Sequence, residues 1–155
     1  MFVRQYGDVG QVEPVLCNIR DDASVTDVTN GADAVVNCVG ILSEAGKNTF
    51  QDVQASGAER VARISSEQGV VNFVQISAIG ANEAALSDYA KTKAFGEASV
   101  LSYFPDATIL RPSIIFGPED QFFNRFAQMA TLSPFIPLVG ACLLYTSDAA
   151  DELCR

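Results

Sequence analysis

Apolar positions along the chain follow two alternating patterns. Compact apolar runs at residues 12–18 (Val-Glu-Pro-Val-Leu-Cys-Asn), 34–39 (Ala-Val-Val-Asn-Cys-Val), 71–76 (Val-Asn-Phe-Val-Gln-Ile) and 107–111 (Ala-Thr-Ile-Leu-Arg) have the length and β-branched content of strands. The nearly unbroken run at 34–39 predicts a parallel strand covered on both faces. Pro14 stands near the start of the first run, where a missing N–H is tolerated. Between the runs the apolar spacing lengthens to that of a helix. Phe50, Val53, Ala58, Val61, Ala62 and Ile64 form one stripe, predicting a helix over 49–68 closed by Gly69. Shorter helical patterns run from a cap at Asp22 or Ser24 to a stop at Asn30-Gly31, and from a Ser87 cap to Tyr103, with Pro105 beyond. Residues 121–132 read as helical again. Strands alternating with helices predict βαβ units, hence an α/β fold with a parallel sheet and right-handed crossovers.

Composition removes alternatives more than it adds. A chain of 155 residues is one domain by length. Its net charge is −9 with only 10 Lys and Arg, which argues against a nucleic-acid surface because phosphate binding needs clustered cations. No apolar run reaches the roughly 18–20 residues of a membrane-spanning helix, and the N-terminus lacks the pattern of a secretory signal. Cys17 and Cys38 lie inside strand-like runs and are expected as small buried hydrophobes. There is no histidine, and no metal site is expected. A cytoplasmic location fits. Residues 142–152 (Cys-Leu-Leu-Tyr-Thr-Ser-Asp-Ala-Ala-Asp-Glu) resemble a direct translation of a transposase adapter used in preparing sequencing libraries. Residues 142–155 are therefore set aside, and residues 1–141 are expected to be a partial domain.

Ligands of parallel α/β sheets bind beyond the carboxyl ends of the strands. Those ends here carry Asn18-Ile19, Cys38-Val39-Gly40, Ser77-Ala78 and Arg111-Pro112-Ser113. Tyr89 and Lys93 stand one turn apart on one face of the predicted helix that follows Ser77. A phenol is a poor base at neutral pH, and a neighbouring ammonium favours its ionised form.

Ser77, Tyr89 and Lys93 in this order resemble the Ser–Tyr–Lys site of the short-chain dehydrogenase/reductase superfamily. The resemblance implies Tyr89 as general acid/base and Ser77 as hydrogen-bond partner of the reacting oxygen. It implies that Lys93 lowers the Tyr89 pKa and binds the nicotinamide ribose. A wider set of motifs runs in order: Gly7-Asp-Val-Gly-Gln11, Asn18-Ile-Arg-Asp21, Asn37-Cys-Val-Gly40, Tyr89 to Lys93 with Gly96-Glu97, and Leu110-Arg-Pro-Ser-Ile-Ile-Phe-Gly-Pro-Glu-Asp120. Together these are similar to the nucleotide-binding accessory subunits of complex I (NADH:ubiquinone oxidoreductase) and to bacterial NAD-dependent epimerase/dehydratase-like relatives. That family implies a Rossmann-type sheet holding NADP or NAD in a structural or regulatory role. It also implies attachment to respiratory complex I or another membrane-associated complex, peripheral to the inner membrane. Asn18 and Ile19 would lie beside the adenine. Cys38, Val39 and Gly40 would line the ribose and pyrophosphate path, and Pro112, Ser113, Ile114 and Ile115 would approach the nicotinamide. The alternative is an NAD(P)-dependent reductase or sugar-nucleotide epimerase/dehydratase using Ser77, Tyr89 and Lys93. A truncated product with no function of its own is the third reading.

Gly7-Asp-Val-Gly10 has no apolar strand before it and no clear helix after it, so it predicts a loop and not a pyrophosphate-binding turn. In the family the glycine fingerprint lies upstream, which would put Met1 roughly forty to fifty residues into the domain. On the Rossmann strand order the runs at 12–18 and 34–39 become strands flanking a gap. The expected fold is a truncated Rossmann-type parallel sheet with flanking helices, its first two strands and glycine-rich turn missing. Such a sheet exposes unpaired edges and is expected to bind no dinucleotide tightly.

Overall fold

In the computed structural model, which describes residues 7–117 together with 124, 127 and 128, three short strands run parallel in chain order. They are β1 (Ala34–Asn37), β2 (Asn72–Ile76) and β3 (Thr108–Leu110). Helix α1 (Asp22–Thr29) precedes β1, α2 (Ser56–Glu67) links β1 to β2, and α3 (Asp88–Tyr103) links β2 to β3. Both crossovers step the same way across the sheet, so their right-handedness puts α2 and α3 on the same face. The ladder aligns Val35 with Phe73, Asn37 with Gln75, and Gln75 with Ile109. Val35, Phe73 and Ile109 thereby meet Val25 of α1, Ala58, Val61, Ala62 and Ile64 of α2, and Val100 of α3. Phe104 stacks on Phe73 with ring centres 5.0 Å apart. This is an α/β, Rossmann-like sheet with helices against it.

The helix signals are met at most ends, with corrected detail. Asp21, not Asp22 or Ser24, caps α1: its carboxylate accepts from Ser24 N at 2.9 Å. The Ser24 hydroxyl is engaged elsewhere, accepting from Asn18 N at 2.8 Å. Asn30 ends α1 and Gly31 follows at φ +74°, a conformation that favours glycine. Ser87 stands at the cap position of α3, but its hydroxyl makes no capping bond, and its carbonyl accepts from Lys91 N instead. The helix predicted over 49–68 is not uniform. Residues Gln51–Ala55 form a π turn, closed by Ser56 N donating to Gln51 O, before α2 proper begins.

Three expectations fail. Residues 12–18 are not a strand; Val15 and Leu16 are exposed, and among the described residues no ladder partner lies beside the segment. An apolar run without a neighbour has nothing to bond its backbone as a strand. Second, among the described residues of the first unit β1 is covered on one face only, because α1, α2 and α3 lie on the Phe73 side; Val36, facing the other way, is 59% exposed. Third, Cys17 and Cys38 are exposed. One belongs to the unpaired segment, and the other lies just past the end of β1, where the chain leaves the sheet. The Gly7–Gly10 stretch is a turn, with Gln11 N donating to Asp8 O, as its sequence predicts.

The chain divides into two compact units, Met1–Arg111 and Pro112–Arg155. In the second, residues 112–116 carry no regular structure, and Asn124 donates to the Gly117 carbonyl at 3.5 Å. Of the helix predicted at 121–132, the described residues 124, 127 and 128 are helical. The adapter-like residues 142–155 lie outside the described residues. No helix among the described residues is long and apolar enough to cross a membrane.

Candidate functional site

Parallel strands end on the same edge, so β1, β2 and β3 deliver Cys38, Ser77 and Arg111 to one rim of the sheet. Beneath that rim lies a buried amide pair. Asn37 Nδ2 donates to Gln75 Oε1 at 2.9 Å, and Asn37 Oδ1 accepts from Val39 N at 3.1 Å. This holds the turn out of β1 in shape. Gln54, buried within the π turn, holds the next residues: its Nε2 donates to Ile41 O at 2.7 Å. The Thr92 hydroxyl lies 3.3 Å from Gln54 Oε1, linking the π turn to α3. A Cβ at Gly96 would overlap the Gln54 carbonyl oxygen and press on Ala58 Cβ at 3.2 Å, so only glycine allows α3 to lie this close to α2.

Helix α3 presents Tyr89, Lys93 and Glu97 at successive turns. Lys93 is 6% exposed, and its ammonium donates to the Ile76 carbonyl at 3.2 Å. It lies 3.0 Å from the point where a Cβ on Gly40 would stand, so the bare backbone leaves room for the cation between β1 and β2. Burial lowers the Lys93 pKa, while the Glu97 and Cys38 charges push it back up. Tyr89 is half-buried, edge-on to Phe50 with ring centres 5.8 Å apart. Burial raises its pKa. The expectation that Lys93 lowers it is not met, because the Lys93 ammonium is turned to the Ile76 carbonyl.

Ser77 continues the ladder, its N donating to Leu110 O at 2.7 Å. Its hydroxyl is buried without a hydrogen bond of good geometry. It nonetheless lies close enough to Glu97 to help stabilise that carboxylate. Glu97, 5% exposed, accepts from Arg111 Nε at 2.9 Å and from Arg111 Nη2 at 2.5 Å. Burial alone would raise the Glu97 pKa. The Arg111 hydrogen bonds and the nearby Ser77 hydroxyl, with the charges of Arg111 and Lys93, bring it below the ordinary value.

Ser77 and Lys93 therefore share the rim with Gly40, and Tyr89 lies one turn along the helix. Val39 and Cys38 are exposed beside them. Asn18 closes an Asx turn, accepting from Arg20 N at 3.2 Å. The Ile19 side chain packs against the core and Gly57, and its carbonyl accepts from Arg60 at 3.0 Å. Pro112, Ser113, Ile114 and Ile115 belong to the second unit and are described only as irregular chain. Sequence reasoning assigned no role to Gln54, Glu97 or Arg111. For Glu97 a signal existed: it continues the Tyr89–Lys93 face by one more turn. For Gln54 none did, since the π turn has no local signature.

A family model described as NAD(P)H-binding matches residues 3–121. The chain is homologous to the mitochondrial NADH dehydrogenase [ubiquinone] 1 alpha subcomplex subunit 9 of Arabidopsis thaliana, at 34% identity over 86% of this chain and 34% of that protein. It is 29% identical to a ceramide reductase of Caulobacter vibrioides, over 92% of this chain and 46% of that protein. The chain thus spans about a third to a half of these relatives. Its fold matches that of a dTDP-4-dehydrorhamnose reductase from Bacillus anthracis solved with NADP, with a TM-score of 0.69 at 17% identity, covering 84% of this chain and 55% of the other.

Proposed function

The chain belongs to the NAD(P)H-binding family, and from that premise we propose that its strand ends form part of a dinucleotide site in a protein of the complex I accessory-subunit type. The cofactor, NADP or NAD, serves a structural or regulatory role there. The observation that carries this is the buried Lys93 ammonium held against the bare backbone of Gly40 at the mouth of β1 and β2. A cation in that position suits a ribose hydroxyl or a phosphate oxygen. Cys38, Val39 and Gly40 would follow the ribose and pyrophosphate, Lys93 the nicotinamide ribose, and Asn18 the adenine. When bound, the cofactor supplies a nicotinamide able to exchange hydride. The 34% identity to the mitochondrial subunit supports a partner of the same kind, a respiratory membrane complex.

None of the three helix starts among the described residues carries a glycine-rich turn. The pyrophosphate therefore lacks, within them, the backbone N–H cluster that dominates dinucleotide affinity. Titration of the chain with NADPH and NADH, followed by saturation-transfer NMR, is expected to give binding weaker than low micromolar that disappears in Lys93→Met. Equal binding by wild type and Lys93→Met would overturn the assignment, and low-micromolar binding would overturn the predicted weakness.

A catalytic reductase or epimerase is the second reading, favoured by the buried Ser77 hydroxyl on the same rim as Lys93. It requires Tyr89 to exchange a proton. With its pKa raised by burial, Tyr89 is a phenol at neutral pH and fits the role of proton donor better than that of base. This reading predicts turnover of NADPH with carbonyl substrates that Tyr89→Phe abolishes while dinucleotide binding persists.

A further inference from the structure

A buried ammonium needs a compensating charge, and the Ile76 carbonyl facing Lys93 supplies only a dipole. The compensating charge is one helix turn away. Glu97 lies on the same face of α3, shielded from water like Lys93 itself, and the two are electrostatically coupled. Glu97 is not free to rotate. The Arg111 guanidinium grips both its carboxylate oxygens from the end of β3, at 2.9 and 2.5 Å. Bidentate pairing of this kind fixes geometry as well as charge. The arrangement joins three elements: α3 supplies Lys93 and Glu97, β2 supplies Ile76 and leads into Ser77, and β3 leads into Arg111.

We propose that Glu97, clamped by Arg111 one helix turn from Lys93, is a positioning residue whose buried carboxylate offsets the Lys93 charge at the rim between β1 and β2. Glu97 acts through Lys93 and touches neither cofactor nor substrate. The proposal rests on the reading that Lys93 serves the dinucleotide site. Its electrostatic part, however, is testable without any dinucleotide. Among the described residues, the charged groups that act on Lys93 are Glu97 on its own helix and Cys38 beyond β1, with Arg111 behind Glu97 and Tyr89 one helix turn before Lys93. Cys38 is exposed, and water moderates its influence. Glu97 is buried, so water screens its charge little, while Arg111 offsets part of it.

The experiment is pH-dependent acylation of the whole chain with acetic anhydride, reading Lys93 and the exposed Lys47 by peptide mass spectrometry. In Glu97→Gln the half-labelling pH of Lys93 is expected to fall by about one unit, that of Lys47 to stay constant, and Glu97→Asp to recover part of the shift. Arg111→Gln removes the guanidinium that offsets the carboxylate and is expected to raise the half-labelling pH instead, a fall there counting against the proposal. Because the Arg111 side chain is 53% exposed, that variant also serves if Glu97→Gln does not fold. An unchanged Lys93 profile in folded Glu97→Gln, or in Arg111→Gln where that variant alone folds, overturns the proposal. If the Lys93 profile shifts but no variant and no wild-type chain binds NADPH or NADH, Glu97 keeps its role and the dinucleotide reading fails.

Discussion

Where α2 crosses α3, backbone meets backbone at Gly96 and Gln54, and Ala62, Ser65 and Val100 are fully shut off from water. Along the outer side of β1 the same chain leaves an open cleft of about 380 Å³ between Cys17 and Ile19 on one side and Ala34 to Asn37 on the other, with Leu16 100% exposed nearby. Both regions are apolar in sequence. What separates them is coverage: α2 and α3 each have a helix and a strand to pack against, whereas residues 12–18 and the free edge of β1 have no strand partner among the described residues. Apolar character states a demand for burial, and only a partner meets it.

The contrast makes graded predictions. Phe73→Ala, deep between the helices and stacked on Phe104, is expected to cost about 3–5 kcal/mol. Leu16→Ala, on the open flank, should stay within about 0.5 kcal/mol. Urea unfolding followed by circular dichroism compares them, and equal losses would erase the distinction between closed and open sides. Next in size is Gly96→Ala, where the obstacle is backbone; a loss of about 1–3 kcal/mol is expected. Gly40→Ala meets only the flexible end of Lys93, which can swing aside, so its cost should be under about 1 kcal/mol while Lys93 labelling rises. A Gly40→Ala variant as unstable as Gly96→Ala would mean that the rim is packed as rigidly as the helix crossing.

The buried end of the rim also has a pH signature. The Glu97 pKa is lowered on folding, so its contribution to stability is present above the ordinary glutamate value and is lost as the pH falls through the folded value. The urea midpoint of the wild type should therefore drop on acidification below about pH 4.5 more steeply than that of Glu97→Gln. Parallel curves would remove Glu97 from the acid response. The smallest effect belongs to the cysteines. Cys17 and Cys38 should react with a maleimide in the native chain, without denaturant, and the fold should persist. Protection of Cys17 but not Cys38, read by peptide mapping, would show that something covers the β1 flank in solution.

Much of this was legible before any coordinates. The runs at 34–39, 71–76 and 107–111 became strands because each has a helix-bearing connection to the next. The stripe Val53, Ala58, Val61, Ala62 and Ile64 became the buried face of the first crossover. Ser77 and Lys93 were named from their order and spacing, and the fold brought them to one rim. The run at 12–18 was misread because its pattern was right and its partner was lacking. Asp21 was passed over for its neighbours because capping depends on one side-chain rotamer among several acceptable residues.

Periodicity, caps and stop residues act over a few positions, so the sequence alone determined the order of the elements from residue 22 onward, the α/β class and the parallel sheet, while the Ser77, Tyr89 and Lys93 candidates came with the family resemblance. Tertiary structure alone decided which face of the sheet is covered, that Gly96 is where two helices meet, and that Lys93 turns to Ile76 and not toward Tyr89. It also decided that a glutamate at the next turn is buried and held by an arginine from another strand. The reason is range. Burial and charge pairing depend on groups far apart in the chain, and no local pattern records which of them will meet.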